Sequence, residues 1–316
     1  MPDFMSSENL LLQNGRSYQV HGNSTRLLVL GEVLWDLFDH SLRLGGAPLN
    51  FSAHAKRLGH NPLLISAVGN DDLGDRTIQC MSDLGIDTKF LQKTSRYKTG
   101  TARVELGPGD RTRFVISRPA AYDAVSVSDE QIQTLKTWAP RWFYYGTLFS
   151  SLREGKASLD RLLAALPDCS RFYDLNLRPG SDSPELVSQL LAAADVVKLN
   201  HEEVEAVHRF CGLPAGKEAF CREGSARYGW TAICVTLGAR GCAMLCGDEY
   251  LEVGGHAVDV ADPVGAGDAF AAAFLHGLLC HWSAAKIAAF ANRVGALVAS
   301  RHGAIPDWTM EEVVEL

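Results

Sequence analysis

The segment Asp262-Pro263-Val264-Gly265-Ala266-Gly267-Asp268 carries the strongest chemical pattern in the chain. Behind it, Phe270, Phe274, Gly277 and Leu278 recur at helical spacing, so the segment opens a helix. Gly265, Ala266 and Gly267 are small enough for their backbone N–H groups to close on an anion, and the positive end of the helix reinforces them. That is a phosphate cradle. Asp268 falls in the first turn, where a carboxylate can take the proton from a hydroxyl attacking the held phosphate. The same residues also read as a glycine turn packing a helix on a strand, with Asp268 favouring the helix dipole. A dinucleotide reading is weaker, because Phe270 stands where the third glycine of G-x-G-x-x-G belongs, and no Walker A pattern occurs.

A second glycine segment, Gly45-Gly46-Ala47-Pro48-Leu49-Asn50, leads into a helix with Pro48 near its start and Gly59 at its stop. The Asn50 amide both donates and accepts, which suits sugar hydroxyls; it also suits a local helix-start hydrogen bond. Asp36 is a charge inside the apolar run Val33-Leu34-Trp35, explained either by a carboxylate accepting hydroxyls or by an exposed strand face. Asn200-His201-Glu202-Glu203 has the spacing of a capping box, and no zinc-protease H-E-x-x-H, since Glu205 stands at the second histidine position. His54, His60, His208, His276 and His281 lack metal-ligand spacing.

These groups need a frame to hold them. From Leu27 onward, strand patterns alternate with helical ones: Leu27–Leu30, Leu63–Val68, Trp142–Tyr145, Arg171–Asp174, Val196–Leu199 and Ala232–Thr236, with helices near Pro48–Leu58, Leu73–Leu84, Ser158–Leu166, Ser183–Ala194 and Glu202–Cys211. Repeated βαβ units predict an α/β fold with a mainly parallel sheet covered by helices. Thr99–Leu106 breaks the pattern by placing Thr99, Thr101, Arg103 and Glu105 on one face, then turns through Gly107–Asp110 into Arg113–Ser117. This hairpin and the segment Val33–Leu44 predict a small sheet projecting as a lid.

Composition bounds the partners. Hydrophobic residues make up 47% and charged residues 21% of 316, enough for a large core. Thirty Lys and Arg against 37 Asp and Glu leave a net charge of −7, which argues against nucleic acid or an anionic membrane as partner. Eight cysteines without a C-x-x-C read as free thiols of a cytoplasmic protein, and no secretory or membrane-spanning pattern is present. Residues 1–25 are expected to be a flexible N-terminus and residues 26–316 one domain, its lid drawn from about 33–44 and 97–118.

Gly45-Gly46-x-Pro48-x-Asn50 early and Asp262-x-x-Gly265-Ala266-Gly267-Asp268 late, in that order, resemble the two signatures of the ribokinase-like, phosphofructokinase-B type carbohydrate kinases over about Arg26 to Pro306. The resemblance implies a three-layer α/β/α domain with a β lid, ATP as donor and Mg²⁺ as its counter-ion. It implies Asp268 as base, the backbone of Gly265, Ala266 and Gly267 as anion hole, and Asp36, Gly46 and Asn50 as sugar ligands. Asn200 would meet nucleotide phosphate, and Glu203 would act on Mg²⁺ through water. Thr236-Leu237-Gly238-x-x-Gly241 resembles the family's nucleotide loop, giving Thr236, Gly238 and Gly241 as cofactor-binding. Asn292 flanks the adenine pocket, and Arg178, closing Asp174-x-Asn176-x-Arg178, would neutralise phosphate. Asp262 and the backbone of Val264 would border a K⁺ site, although Pro263-Val264 departs from the Thr-Thr common there.

The expected activity is ATP-dependent phosphorylation of a free sugar. Gly31-Glu32-x-Leu34-x-Asp36 resembles the opening of fructokinases, so fructose leads. Arg103, Arg113 and Arg118 in the lid keep open an acceptor phosphate or the carboxylate of 2-keto-3-deoxygluconate; ribose and a nucleoside are further alternatives. A non-catalytic sugar-binding regulator and a dehydrogenase are the readings from other classes. The lid would cover its own site or pair two copies into a homodimer.

Overall fold

Period-two alternation in short apolar runs sends neighbouring side chains to opposite faces, so a strand buried on both sides feeds two cores. The structure, a computed structural model, describes residues 10–13, 16–19, 24–38, 41–106, 112–181 and 183–316. Strands β1 (Leu10–Gln13) and β2 (Arg16–Gln19) pair antiparallel. The rest of the flexible segment expected over residues 1–25 falls mostly outside the described residues, as does the turn at Gly107–Asp110.

The chain continues through β3 (Arg26–Leu30), β4 (Leu34–Phe38), β5 (Ser41–Gly45), helix α1 (Ala47–Arg57), β6 (Asn61–Gly69), α2 (Asp72–Asp83), β7 (Leu91–Thr94), β8 (Gly100–Leu106), β9 (Thr112–Ile116) and α3 (Asp129–Trp138). Then come β10 (Trp142–Gly146), α4 (Thr147–Ser150), α5 (Arg153–Ala165), β11 (Ser170–Asp174), α6 (Pro184–Ala192), β12 (Val196–Asn200), α7 (His201–Cys211) and α8 (Lys217–Tyr228). The last elements are β13 (Ala232–Thr236), β14 (Cys242–Cys246), β15 (Glu249–Val253), α9 (Ala266–Leu279), α10 (Ala284–Ala299) and α11 (Met310–Glu315).

Among the described residues, nine strands form one sheet in the order β15, β14, β13, β12, β11, β10, β3, β6, β7. All neighbours from β13 to β7 run parallel, and β14 and β15 close one edge antiparallel. Leu28, Leu30, Phe143, Tyr145, Tyr173 and Val197 pack under α3 and α5–α8. Their alternates Leu27, Val29, Tyr144, Phe172 and Val196 pack under α1, α9 and α10. The result is the expected three-layer α/β/α body.

A separate four-stranded sheet has the order β5, β4, β8, β9. The predicted strands and helices agree with these elements to within a few residues, except that α5 starts at Arg153, five residues earlier than expected; Leu152 supplies no side-chain cap to mark that start. Helices α3, α4, α8, α10 and α11 were not read from the sequence, though Ser128 and Gln131 form a legible capping box at α3. All eight cysteines are free, and among the described residues no helix is long and apolar enough to cross a membrane.

Candidate active site

Helix α9 is buried almost all round from Asp268 to Gly277, so it is held between α1 and α10. Its cap, Gly265, lies at φ 82°, and a Cβ there would come within 2.4 Å of the Ala304 carbonyl oxygen. Only glycine makes this turn. Across from it, Gly46 caps α1 at φ 108°, where a Cβ would meet the Glu32 carbonyl oxygen at 2.5 Å. The two turns aim α1 and α9 at one another: Asn50 Nδ2 donates to Asp268 Oδ2 at 2.8 Å, bridging 218 positions of sequence. Asn176, past the end of β11, donates through Nδ2 to the other carboxylate oxygen at 3.4 Å.

These groups border a cavity of about 770 Å³ lined by Asp36, Asn50, Arg178, Lys198, Gly267 and Asp268 among others. Burial raises Asp268 to about 6, helped by neighbouring Asp174 and opposed by Lys198, Asn50 and Arg178. A carboxylate so tuned is ionised at neutral pH yet basic enough to accept a proton. Burial also raises Asp36 to about 7, against the pull of Arg178. Asn50 Oδ1 is buried without a hydrogen-bond partner, an acceptor calling for a donor from the cavity.

Among the lining residues not singled out in the sequence, with Asn176 and Glu202, are two buried charges, Glu32 and Lys198. Burial holds Glu32 at about 7. Lys198, 6% exposed, pairs with Asp174 at 3.0 and 3.1 Å. The signal that found Asp36, a charge inside an apolar run, marks both: Glu32 before Val33-Leu34 and Lys198 within Val196-Val197-Leu199.

A second cavity, of about 540 Å³, lies beside the first and is lined by Gly241, His256, Phe270 and Asn292 among others. Thr236, Gly238, Pro263 and Gly267 line both cavities. Gly241 sits at φ 94°, and a Cβ there would lie 2.0 Å from the Val253 carbonyl oxygen. Asn292 spends its Nδ2 on the carbonyls of Val253 and Gly254, at 3.4 and 3.2 Å. It braces the cavity wall.

Other expected residues are not brought in. Glu203 completes a capping box: Oε2 accepts from Asn200 N and Oε1 from Leu177 N, both at 2.7 Å. It is 6% exposed and does not line the cavity, whereas Asn200 and Glu202 do. Arg103 is exposed, because strand alternation turns Ala102 inward and sends Arg103 out. Arg118 is held by Asp123 and by the Leu148 carbonyl, and borders a side pocket of about 160 Å³ that it shares with Arg178. The Arg113 side chain lies outside the described residues.

The metal expectations can be tested on donors. Among the described residues, no three of His, Cys, Asp and Glu are grouped for a metal ion. Mg²⁺ needs few protein ligands when nucleotide phosphates and water supply the rest, so Glu202 and Asn200 at the cavity wall fit it and Glu203 does not. At Asp262, Oδ2 accepts from Arg43 at 2.5 Å and from Gly303 N at 3.1 Å, while Oδ1 accepts from Val264 N at 3.1 Å. A guanidinium and two amides satisfy this carboxylate, so Asp262 as arranged does not fit a K⁺ ion.

Comparison with known proteins adds kinship to geometry. Fructokinase of Escherichia coli is 28% identical over 302 residues, 89% of this chain and 95% of that one. The structure of Thermotoga maritima 2-dehydro-3-deoxygluconokinase superposes with a TM-score of 0.82 at 20% identity, covering 94% and 99% of the two chains. A Vibrio cholerae fructokinase double mutant, solved with fructose, ADP and potassium ion, gives 0.79 at 24%, covering 93% and 98%. The family model for pfkB family carbohydrate kinases matches residues 16–310, nearly the whole chain. The chain therefore belongs to the pfkB family and is an ATP-dependent sugar kinase of ribokinase-like α/β fold.

Proposed function

We propose that the acceptor is a free, uncharged sugar, with fructose first, and that Asp268 is the base. The observation that supports this reading is the 2.8 Å contact between Asn50 and Asp268, a carboxylate and an amide at one cavity. Asp36, Glu32 and the unpartnered Asn50 Oδ1 are acceptors, complementary to sugar hydroxyls. Arg103 in solvent and Arg118 engaged by Asp123 weigh against an acceptor phosphate or carboxylate.

In the reaction Asp268 takes the proton as the sugar hydroxyl attacks the terminal phosphorus of ATP. The amides of Gly265, Ala266 and Gly267, with the α9 dipole, offset charge growing on the phosphoryl oxygens. Arg178 adds a cation over the same space. Bound Mg²⁺ would neutralise phosphate charge, held from Asn200 and Glu202 through water. The apolar second cavity suits the nucleoside, with Thr236, Gly238 and Gly241 along it. The four-stranded sheet acts as a lid excluding water, which would otherwise consume ATP. Its outer face carries exposed Leu42 and Val115, which support pairing of two copies there. A cytoplasmic setting agrees with eight free thiols.

The test is ADP release from ATP over a panel of free sugars and 2-keto-3-deoxygluconate. Saturable turnover with fructose, the highest kcat/KM of the panel, is the expected result. Preference for the keto acid moves the acceptor to the Arg118 side, and ligand binding without turnover makes the chain a sugar-binding regulator.

A further inference from the structure

Lys198 is a charge where the sheet's own logic asks for an apolar residue. It follows Val196 and Val197 on β12, directly opposite Asp174 on β11, so both side chains point to the α9 face near the strands' carboxyl ends. Such an ion pair contributes little net stability once desolvation is counted, so fold maintenance alone is a poor reason for it. Its surroundings suggest another. The ammonium is nine-tenths buried yet borders the main cavity, and Gly267 of the glycine loop is its neighbour: a Cβ on Gly267 would lie 3.5 Å from Lys198 Nζ. Asp174 is itself held, accepting from Tyr144 Oη at 3.1 Å, so the carboxylate fixes the ammonium instead of following it. An ammonium has three N–H donors, and Asp174 draws on Nζ through two contacts, leaving a donor for the cavity.

The geometry points to Lys198 as a ligand of the phosphoryl group in flight: braced by Asp174, it donates to an oxygen of the γ-phosphoryl as that group passes from the nucleotide to the sugar oxygen. This rests on the kinase reading above and adds a residue to it. The bond from γ-phosphorus to the bridging oxygen of ADP breaks, the bond to the sugar oxygen forms, the hydroxyl proton goes to Asp268, and Lys198 keeps its own proton throughout. Burial opposes charge on Lys198, but Asp174, Glu203 and Asp268 hold its affinity for the proton above the ordinary lysine value. It therefore stays cationic at neutral pH.

The experiment compares Lys198→Met with wild type in three measurements: kcat and KM with the best sugar, and calorimetric affinity for ADP and for an imido-bridged, non-hydrolysable ATP analogue. The expected result is a fall of about 10²-fold in kcat, a sugar KM within about threefold, and about tenfold weaker binding of the ATP analogue with ADP affinity almost unchanged. Because the single variant leaves Asp174 unpaired, Asp174→Asn/Lys198→Met is made beside it, removing both charges. This double variant is expected to melt near wild type and still transfer slowly. Recovery of kcat in the double variant, or equal loss of ADP and ATP-analogue affinity, overturns the assignment and leaves Lys198 as Asp174's counter-charge. The nucleotide measurements need no sugar, so they decide Lys198 even if no sugar is turned over. Failure of wild type on the whole panel sinks only the kinase-acceptor reading.

Discussion

Asp268 and Glu203 occupy equivalent places, each an acidic residue in the first turn of a helix near the carboxyl end of the sheet. Their surroundings differ in one respect. Glu203 is closed: its oxygens accept backbone N–H groups from Asn200, three residues away, and from Leu177. Asp268 is open: its partners are side-chain amides, Asn50 from α1 and Asn176 from the β11 loop, and the carboxylate faces the cavity. A carboxylate satisfied by backbone builds structure, whereas one steadied by side chains around a cavity can still exchange a proton.

The largest expected effect separates the two. Asp268→Asn keeps the size and the Asn50 contact but cannot accept the proton, so kcat falls by about 10³-fold, while nucleotide affinity measured by calorimetry stays near wild type. For the intact enzyme, kcat/KM is expected to fall tenfold per pH unit below about 6, where Asp268 takes up its proton. A pH–rate profile flat from pH 7 to 5 removes Asp268 from the role of base.

Glu203→Gln is expected to reverse the balance. Its amide offers one acceptor where two backbone donors need partners, and the new N–H₂ faces a donor. The cost is about 1–3 kcal/mol of stability, read as a melting temperature lower by several degrees. Turnover stays within about tenfold, since Glu203 touches Asp268 only indirectly, through Leu177 and the adjoining Asn176 and through the field on Lys198. A 10³-fold loss of kcat with an unchanged melting temperature breaks the distinction drawn above.

How much of this is legible in the sequence depends on the range over which each interaction acts. Strands β3, β6 and β10–β13 are encoded by local alternation, and the glycine turns at Gly46 and Gly265 by residue type, so these read directly. The Asn200–Glu203 capping box is equally local and forms as its spacing predicts. Arg103 lies on the wet face that local alternation assigns to it, so membership of the lid sheet alone does not bring it to the cavity. The pairings of Arg118 with Asp123, Arg43 with Asp262 and Lys198 with Asp174 depend on which loops and strands meet in space. One strand's pattern can flag Lys198 as anomalous, but only the register of β11 on β12 supplies its partner.

The smallest expected effect concerns Glu32, an open carboxylate buried to 7% exposure. Burial raises it from 4.5 to about 7, with Asp268 adding to the shift and Arg178 and Arg118 resisting it. Its folded value exceeds its unfolded one, so the native state binds the proton more tightly. The associated stability is fully present below about pH 4.5 and is lost as pH rises through about 7. Above that range the protein carries a buried carboxylate at a cost. Glu32→Gln removes the charge with little change in shape, so it should raise stability at pH 8 by about 1–3 kcal/mol and leave it nearly unchanged at pH 4.5, as read by denaturant melts at the two values. The same substitution should raise the sugar KM a few-fold, because an acceptor facing the cavity is lost. Burial raises Glu203 as well, so losing its charge favours the amide at pH 8, but the amide leaves the N–H of Asn200 or Leu177 without an acceptor, and the expected net change is a loss of stability. If both amide variants shift stability in one direction there, openness to the cavity is not what distinguishes these carboxylates, and the case for Asp268 would rest on its kinetics alone.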